Sequence, residues 1–356
     1  MKQRVMLGLS GGVDSAVTAW LLKKQGYEVI CAFLKCFSDS KIKGQCSYLE
    51  DKKEAQKIAS KLNLPLIELD YEKEYKNKVI KPMFKSYSKG ITPNPDSLCN
   101  KTIKFPYLWK EATKNKCNFI ATGHYITKLK NKNVYTLKIP KDKNKDQSYF
   151  LYQLTQKDLS RTLFPIGDYT KSEVRRIARI NNFQNWNKHG TRGLCFVGNI
   201  DMKSFLKQKI KNKQGIIRNP EGEIVGKHNG IMFYTIGERL RENEDMEIDK
   251  DYRNKIKSKL YIAKKDIKKN ELIVAPKNNP LLKIKEFRIK NINWISGKPK
   301  SENILVRIRH LGKLHKASMK GNKIHLNQPI EGIALGQSAV FYSKSRIMLG
   351  GGEISD

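Results

Sequence analysis

The run Val5-Met6-Leu7-Gly8-Leu9-Ser10-Gly11-Gly12-Val13-Asp14-Ser15-Ala16 decides the fold of this chain. Residues 5–9 are apolar apart from Gly8 and read as a buried strand. Residues 15–25 have helical periodicity and end at Gly26, a residue suited to a left-handed C-cap. A Ser-Gly-Gly turn between a strand and a helix start presents backbone N–H groups to an anion. The helix adds a favourable partial charge, and the glycines permit close approach. A Walker-type loop would place Gly-Lys-Ser/Thr here to hold the β- and γ-phosphates. This loop has no lysine; Asp14 and Ser15 stand in its place.

Working outward, the alternation of strand and helix continues. Residues 29–34, 66–69 and 119–121 read as strands, and residues 52–62, 105–116 and 171–181 as helices. Such a βαβ series predicts an α/β domain with a doubly wound parallel sheet over residues 1–202. Ligands bind outside the carboxyl ends of such strands. The phosphate loop and Gly123-His124 both follow strands, so both fall on that edge. Residues 202–213 are expected as one further helix, inside a small central domain at 203–280. From residue 281 short alternating strands (304–309 and 338–342 among them) predict a β-barrel-like C-terminal domain. The highly charged stretch 239–255 has few apolar residues and reads as a poorly ordered loop.

The 356 residues carry 70 basic and 34 acidic side chains, a net charge of +36. That balance points to a polyanionic partner. Lysine far outnumbers arginine, as coding bias alone can produce, so charge by itself does not settle the partner. No apolar run approaches the roughly 20 residues that span a bilayer, and no signal peptide is apparent. A cytoplasmic protein with no membrane partner is expected.

Six cysteines are present: Cys31, Cys36, Cys46, Cys99, Cys117 and Cys195. No C-x-x-C occurs, which argues against structural zinc and a cysteine-bound cluster, and no metal-ligand set is assigned. Cys31 and Cys117 read as core thiols, and Cys36 and Cys46 as incidental. Cys99 sits in Thr92-Pro93-Asn94-Pro95-Asp96-Ser97-Leu98-Cys99-Asn100, where the two prolines make Thr92 to Pro95 extended and stiff, so that Asn94, Asp96 and Cys99 are held in a fixed array. Asp96 alone would raise the Cys99 pKa, so it is cast as an acid/base toward a substrate. Cys195 follows Thr191-Arg192-Gly193, where Arg192 offers a positive field favouring a thiolate. Either cysteine, taken alone, is also compatible with a buried core thiol.

The loop resembles that of the pyrophosphate-loop ATP pyrophosphatases, which adenylate a substrate and release pyrophosphate. Asp14 would then be a magnesium or pyrophosphate contact. The whole chain resembles the tRNA-specific 2-thiouridylase family. The likeness rests on Gly8 through Ser15, Asn94-Pro95-Asp96 with Cys99-Asn100, Ile103-Lys104-Phe105, Ala121-Thr122-Gly123-His124-Tyr125 and Lys145-Asp146-Gln147-Ser148-Tyr149-Phe150. It continues through Cys195-Phe196-Val197-Gly198, Gly226-Lys227-His228-Asn229-Gly230, Tyr234-Thr235-Ile236-Gly237 and Gly336-Gln337-Ser338-Ala339-Val340-Phe341-Tyr342.

The resemblance implies a tRNA sulfurtransferase using ATP and Mg2+, in which a Cys195 persulfide delivers sulfur to C2 of an adenylated wobble uridine. Cys99 would assist as nucleophile and form a transient disulfide with Cys195. It implies ATP contacts from Gly8, Leu9, Ser10, Gly11, Gly12, Val13, Asp14, Ser15, Leu34 and Gly123. Contacts with the tRNA would come from Asn94, Pro95, Asp96, His124, Lys145, Asp146, Gln147, Arg309, His310 and Gln337. A cysteine desulfurase or sulfur-relay protein is the implied donor, with the enzyme a monomer on tRNA. Three departures stand out: Gly190-Thr191-Arg192 before Cys195, Glu238 after Gly237, and His310 where the family usually carries Tyr. The competing readings are an amide-forming ligase on the same loop, an iron–sulfur thiolase and a catalytically idle tRNA-binding protein.

Overall fold

A computed structural model describes residues 2–38, 48–188, 195–198, 201–241 and 245–356. The chain opens with β1 (Arg4–Gly8), α1 (Val13–Lys24), β2 (Glu28–Lys35), α2 (Tyr48–Lys61) and β3 (Leu66–Asp70). Next come α3 (Glu72–Tyr75), a π-helical turn (Lys76–Ile80) and α4 (Lys81–Tyr87). They are followed by α5 (Pro95–Cys99), a second π turn (Asn100–Lys104), α6 (Phe105–Lys114) and β4 (Phe119–Ala121). The hairpin β5 (Thr127–Asn131) and β6 (Val134–Lys138) precedes α7 (Gln156–Ser160), β7 (Thr162–Leu163) and α8 (Lys171–Ile180).

Strands β3-β2-β1-β4-β7 form one parallel sheet in that order. Chain order reverses beside β1, between β2 and β4. The crevice at that switch point is where a doubly wound sheet binds its ligand. Val5, Met6 and Leu7 are fully buried, as residues of a central strand covered on both faces should be. Gly26, at φ +85°, follows the end of α1 as expected.

Residues 202–213 do not make one helix. A short α9 (Met202–Lys207) buries Phe205 and Leu206, and beyond it the lysine-rich chain has too few apolar residues to pack another turn. The central unit is a five-stranded sheet of β8 (Gly215–Arg218), β9 (Ile224–His228), β10 (Met246–Ile248), β11 (Leu260–Asp266) and β12 (Glu271–Pro276). In the charged stretch expected to be poorly ordered, residues 242–244 lie outside the described residues, and the part after them contributes β10, paired with β9, and α10 (Lys250–Lys255). Met246 and Ile248 are buried, and Asp249 caps α10 by accepting from the Asp251 and Tyr252 amides. Two well-placed apolar residues and a cap outweigh a polar composition.

The C-terminal strands are β13 (Lys283–Trp294), β14 (Asn303–Arg307), β15 (His315–Lys320), β16 (Lys323–Glu331), β17 (Ser338–Tyr342) and β18 (Ile347–Ser355). Strand β13 pairs with both β16 and β18, closing a six-stranded antiparallel barrel around Ile289, Val306, Ile324 and Phe341. Strand β18 also pairs with β6, so the hairpin from the catalytic part extends the barrel's sheet. Beside this seam Asp146, fully buried, forms an ion pair with Arg307 at 2.5 Å. Among the described residues, no helix is long and apolar enough to cross a membrane.

Candidate active site

The loop after β1 is built around Ser15, whose Oγ donates to the Gly12 carbonyl at 3.0 Å and accepts from the Ser10 amide at 3.2 Å. Gly11 lies at φ +77°, and a Cβ there would fall 2.2 Å from the Asp51 carbonyl oxygen. Gly123 packs as closely: its Cβ would lie 2.9 Å from the Ser15 amide nitrogen and 3.0 Å from the Asp14 carbonyl carbon. Leu9, Val13 and Leu34 are buried, so their main chains are what they offer a nucleotide.

The cation missing from the loop comes from elsewhere. Lys171 opens α8, whose capping box joins Thr170 and Glu173. Its ammonium donates to Asp14 Oδ1 at 2.6 Å, and the Tyr125 hydroxyl donates to the same oxygen at 2.7 Å. Burial lowers the Lys171 pKa, with Asp14 working against it. Lys171 is 157 residues from Asp14, and nothing in the sequence near the loop marks it.

The two cysteines meet where the end of α5 packs against the turn at Cys195. Asn94 caps α5 by accepting from the Ser97 amide at 3.1 Å, and Pro95 takes the first helical position. Residues 92–94 lead in without helical structure, and the capped turn of α5 that follows carries Asp96 and Cys99. Asp96 Oδ1 accepts from the Cys195 amide at 2.9 Å, and the Tyr75 hydroxyl donates to the Cys195 carbonyl. The Cys99 and Cys195 sulfurs stand 3.9 Å apart as free thiols. Cys99 is fully buried, whereas the Cys195 residue is half-buried.

Lys104 sits one π turn after Cys99, with its ammonium 5.3 Å from the centre of the Phe196 ring. The Cys99 thiol, donating to Cys195, lowers the Cys195 pKa; burial opposes this and Lys104 reinforces it. Burial pushes Cys99 up instead, with the Cys195 sulfur adding to the rise. Burial also raises Asp96, opposed by the Cys195 amide. The positive field at Cys195 thus has a source in Lys104; Arg192, expected for that role, lies outside the described residues. Cys36, expected to be incidental, is buried near enough to Cys195 that the two sulfurs interact, and Cys46 lies outside the described residues. Cys31 and Cys117 are buried. A path of contacts links loop and thiols: Gly123 abuts Asp14 and Ser15, the His124 ring stacks on Phe105, and Lys104 precedes Phe105.

The predicted tRNA residues divide. Asn94 Nδ2 donates to Ser338 Oγ at 3.0 Å, and Gln337 Nε2 to the Thr92 and Pro93 carbonyls at 3.1 and 3.0 Å. The barrel thereby contacts the segment that leads into the Asp96 helix. Lys145 is exposed, and Gln147 accepts from the Tyr125 amide. The Asp146 side chain is fully buried and paired with Arg307 in the seam. The His124 ring is buried too, bonded through Nδ1 to Thr122. His310 keeps a ring contact, 4.5 Å from Phe150, while its Nε2 bonds the Asp146 carbonyl. Arg309 donates to the Gly332 carbonyl. Glu238 accepts from the Thr235 amide, and so closes a turn in the central unit.

The fold and loop define a nucleotide-binding catalytic domain joined to β-domains, and three family models describe the same parts. Residues 3–199 match a tRNA methyl transferase HUP domain, 203–276 a tRNA methyl transferase PRC-barrel domain, and 284–354 an aminomethyltransferase beta-barrel domain. The tRNA-specific 2-thiouridylase MnmA of Blochmanniella floridana is 41% identical, covering 99% of this chain and 96% of its own. MnmA 1 of Geobacillus kaustophilus is 38% identical over 96% of this chain and 92% of its own. This chain belongs to the tRNA-specific 2-thiouridylase family. Among solved structures, NMN synthetase from Francisella tularensis is 16% identical over 52% of this chain and 66% of that one, with a TM-score of 0.33.

Proposed function

We propose that this chain is an ATP-dependent tRNA sulfurtransferase that converts the wobble uridine to 2-thiouridine. The observation that carries the reading is the contact between the Cys99 and Cys195 thiols, beside Asp96 and Lys104. The uracil O2 attacks the α-phosphate of ATP, and pyrophosphate leaves. This turns a poor leaving group into AMP. The loop amides and Lys171 stabilise the phosphate charge. Asp14 is the carboxylate available to Mg2+, an ion that typically takes one or two carboxylates and completes its shell with substrate phosphates and water. Bound there, the ion would neutralise charge on the departing pyrophosphate.

Sulfur arrives as a persulfide on Cys195, loaded by a cysteine desulfurase or a relay protein at that half-buried residue. Its terminal sulfur attacks C2, and AMP departs with O2. The Cys99 thiolate then attacks Cys195 Sγ, the sulfur–sulfur bond to the base breaks, and 2-thiouridine is released. The resulting Cys99–Cys195 disulfide is returned to two thiols by an external dithiol reductant. Asp96 serves as acid/base near the target base, with Asn94 and Pro95 against it. The base must leave the anticodon stack, which a single-stranded loop allows. The enzyme acts in the cytoplasm, as a monomer on tRNA, with residues 1–202, 203–280 and 281–356 as its three domains.

The test is a reconstituted reaction with tRNA, magnesium ATP and a persulfide source, read as a mass gain of about 16 daltons at the wobble uridine, the difference between sulfur and oxygen. A gain that needs both ATP and Cys195 supports the reading. ATP cleavage with no sulfur gain in the presence of a competent donor would make the chain a different adenylating enzyme.

A further inference from the structure

Away from the thiols, a cleft of about 530 Å³ opens where the catalytic part meets the barrel. One wall is the β5–β6 hairpin with the segment that follows it; the other is the turn between β17 and β18. Lys138, Lys141, Lys143, Lys344 and Arg346 line it, with Asp168 as the single acidic residue. Five of its eleven lining residues are cationic. Among the described residues Lys141 pairs with Glu173, while no ion pair ties down Lys138, Lys143, Lys344 or Arg346. The two walls are fixed to each other, since β6 pairs with β18 and the Ile139 amide donates to the Arg346 carbonyl. The cations are therefore held on a rigid rim and face solvent.

We propose that this cleft is a second RNA-backbone site, gripping phosphates of the tRNA away from the base being modified. No aromatic ring lines the cleft, so it offers no stacking platform for a base or nucleoside. A row of cations without rings suits a ribose-phosphate backbone, bound by charge and without regard to sequence. Location supports the same occupant. Strand β17 runs from Ser338, bonded to Asn94 in the base pocket, to Tyr342, beside the cleft turn. At about 3.4 Å per residue the cleft lies on the order of 15 Å from that pocket, within reach of the stem that follows an anticodon loop. The same segment continues from Lys143 to the exposed Lys145, making the basic track continuous. The proposal rests on tRNA being the substrate.

The experiment compares the parent chain with K138Q/K143Q/K344Q in binding two probes across a salt series. One is full-length tRNA; the other is a single-stranded anticodon-loop oligonucleotide, too short to leave the base pocket. The variant is expected to lose on the order of tenfold in tRNA affinity at physiological salt. Its log K against log salt slope should shrink by roughly 2, the release expected from three lost phosphate contacts. Oligonucleotide binding should stay at the parent value. An unchanged tRNA slope overturns the proposal, as does an equal loss for both probes. Unchanged tRNA binding with weakened binding of polyglutamate would give the cleft to an acidic protein instead. A parent chain that binds no tRNA overturns the functional reading along with the cleft.

Discussion

At the residue scale, the pKa of the Cys195 thiol is lowered first by the Cys99 hydrogen bond and further by Lys104, five positions after that cysteine. Cys195 titrates below its ordinary value because Cys99 donates to it and Lys104 faces it. Its thiolate is therefore lost only as pH falls through that lowered pKa. In Lys104→Met the midpoint for iodoacetamide alkylation of Cys195, followed by peptide mass spectrometry, should move to higher pH. An unmoved midpoint would deny Lys104 the role. Cys195→Ser should abolish thiolation while tRNA affinity stays within about twofold, since an exchange that leaves shape and neighbouring charge intact costs little; retained thiolation would remove the persulfide from the mechanism. Cys99, Asp96 and Cys195 were legible from their unusual frames. Lys104 was visible only as part of a motif, and Lys171 not at all, because each acts on a group that the fold, and not the local chain, sets beside it.

The element that matters most is the pair of helices α5 and α6 joined by a π turn. At 3.6 residues per turn, a residue five positions on lies well round an α-helix. The i→i+5 closure of the π turn brings Lys104 back toward the side that carries Cys99. Sequence periodicity does not reveal such a turn. Strands β1 and β2 and helix α1 were legible because their apolar runs are buried and Gly26 follows the helix, whereas β7, two residues long, leaves no such run. Residues 202–213 and 245–255 were misread because composition was weighed over burial. Gly123→Ala should cut ATP cleavage sharply, since its new methyl group meets the Asp14–Ser15 backbone, which cannot move aside as a side chain would. Alkylation of Cys195 should be unaffected, and ATP turnover at the parent rate would show that the loop tolerates displacement. Arg307→Leu leaves the Asp146 carboxylate buried and unpaired in the seam. It should destabilise the fold by about 3–5 kcal/mol, read as a lower denaturation midpoint in urea; a shift under about 1 kcal/mol would mean that water replaces the guanidinium.

Across the whole molecule, the first part and the barrel meet beside the helix that carries Cys99. The catalytic part supplies the loop and thiols, the barrel contacts the segment leading into α5 through Ser338 and Gln337, and hairpin β5–β6 joins the barrel's sheet. With a net charge of +36, tRNA binding should weaken steeply with salt, by about 0.7–0.9 in log K per log unit of salt for each phosphate contact. A flat response in a salt titration would show that the charge is not directed at RNA.

The sequence by itself determined the parallel sheet, the phosphate loop, the two cysteine frames and the change of character toward a barrel. Each is a local pattern, set by side-chain period, turn chemistry and residue type over a few positions. Only the tertiary structure decided that Cys99 and Cys195 are in contact, that Lys171 pairs with Asp14, and that Asp146 is buried against Arg307. Those facts depend on which residues, 96 to 161 positions apart, share one low-dielectric interior. Packing of whole elements sets such distances, and no window of sequence contains them.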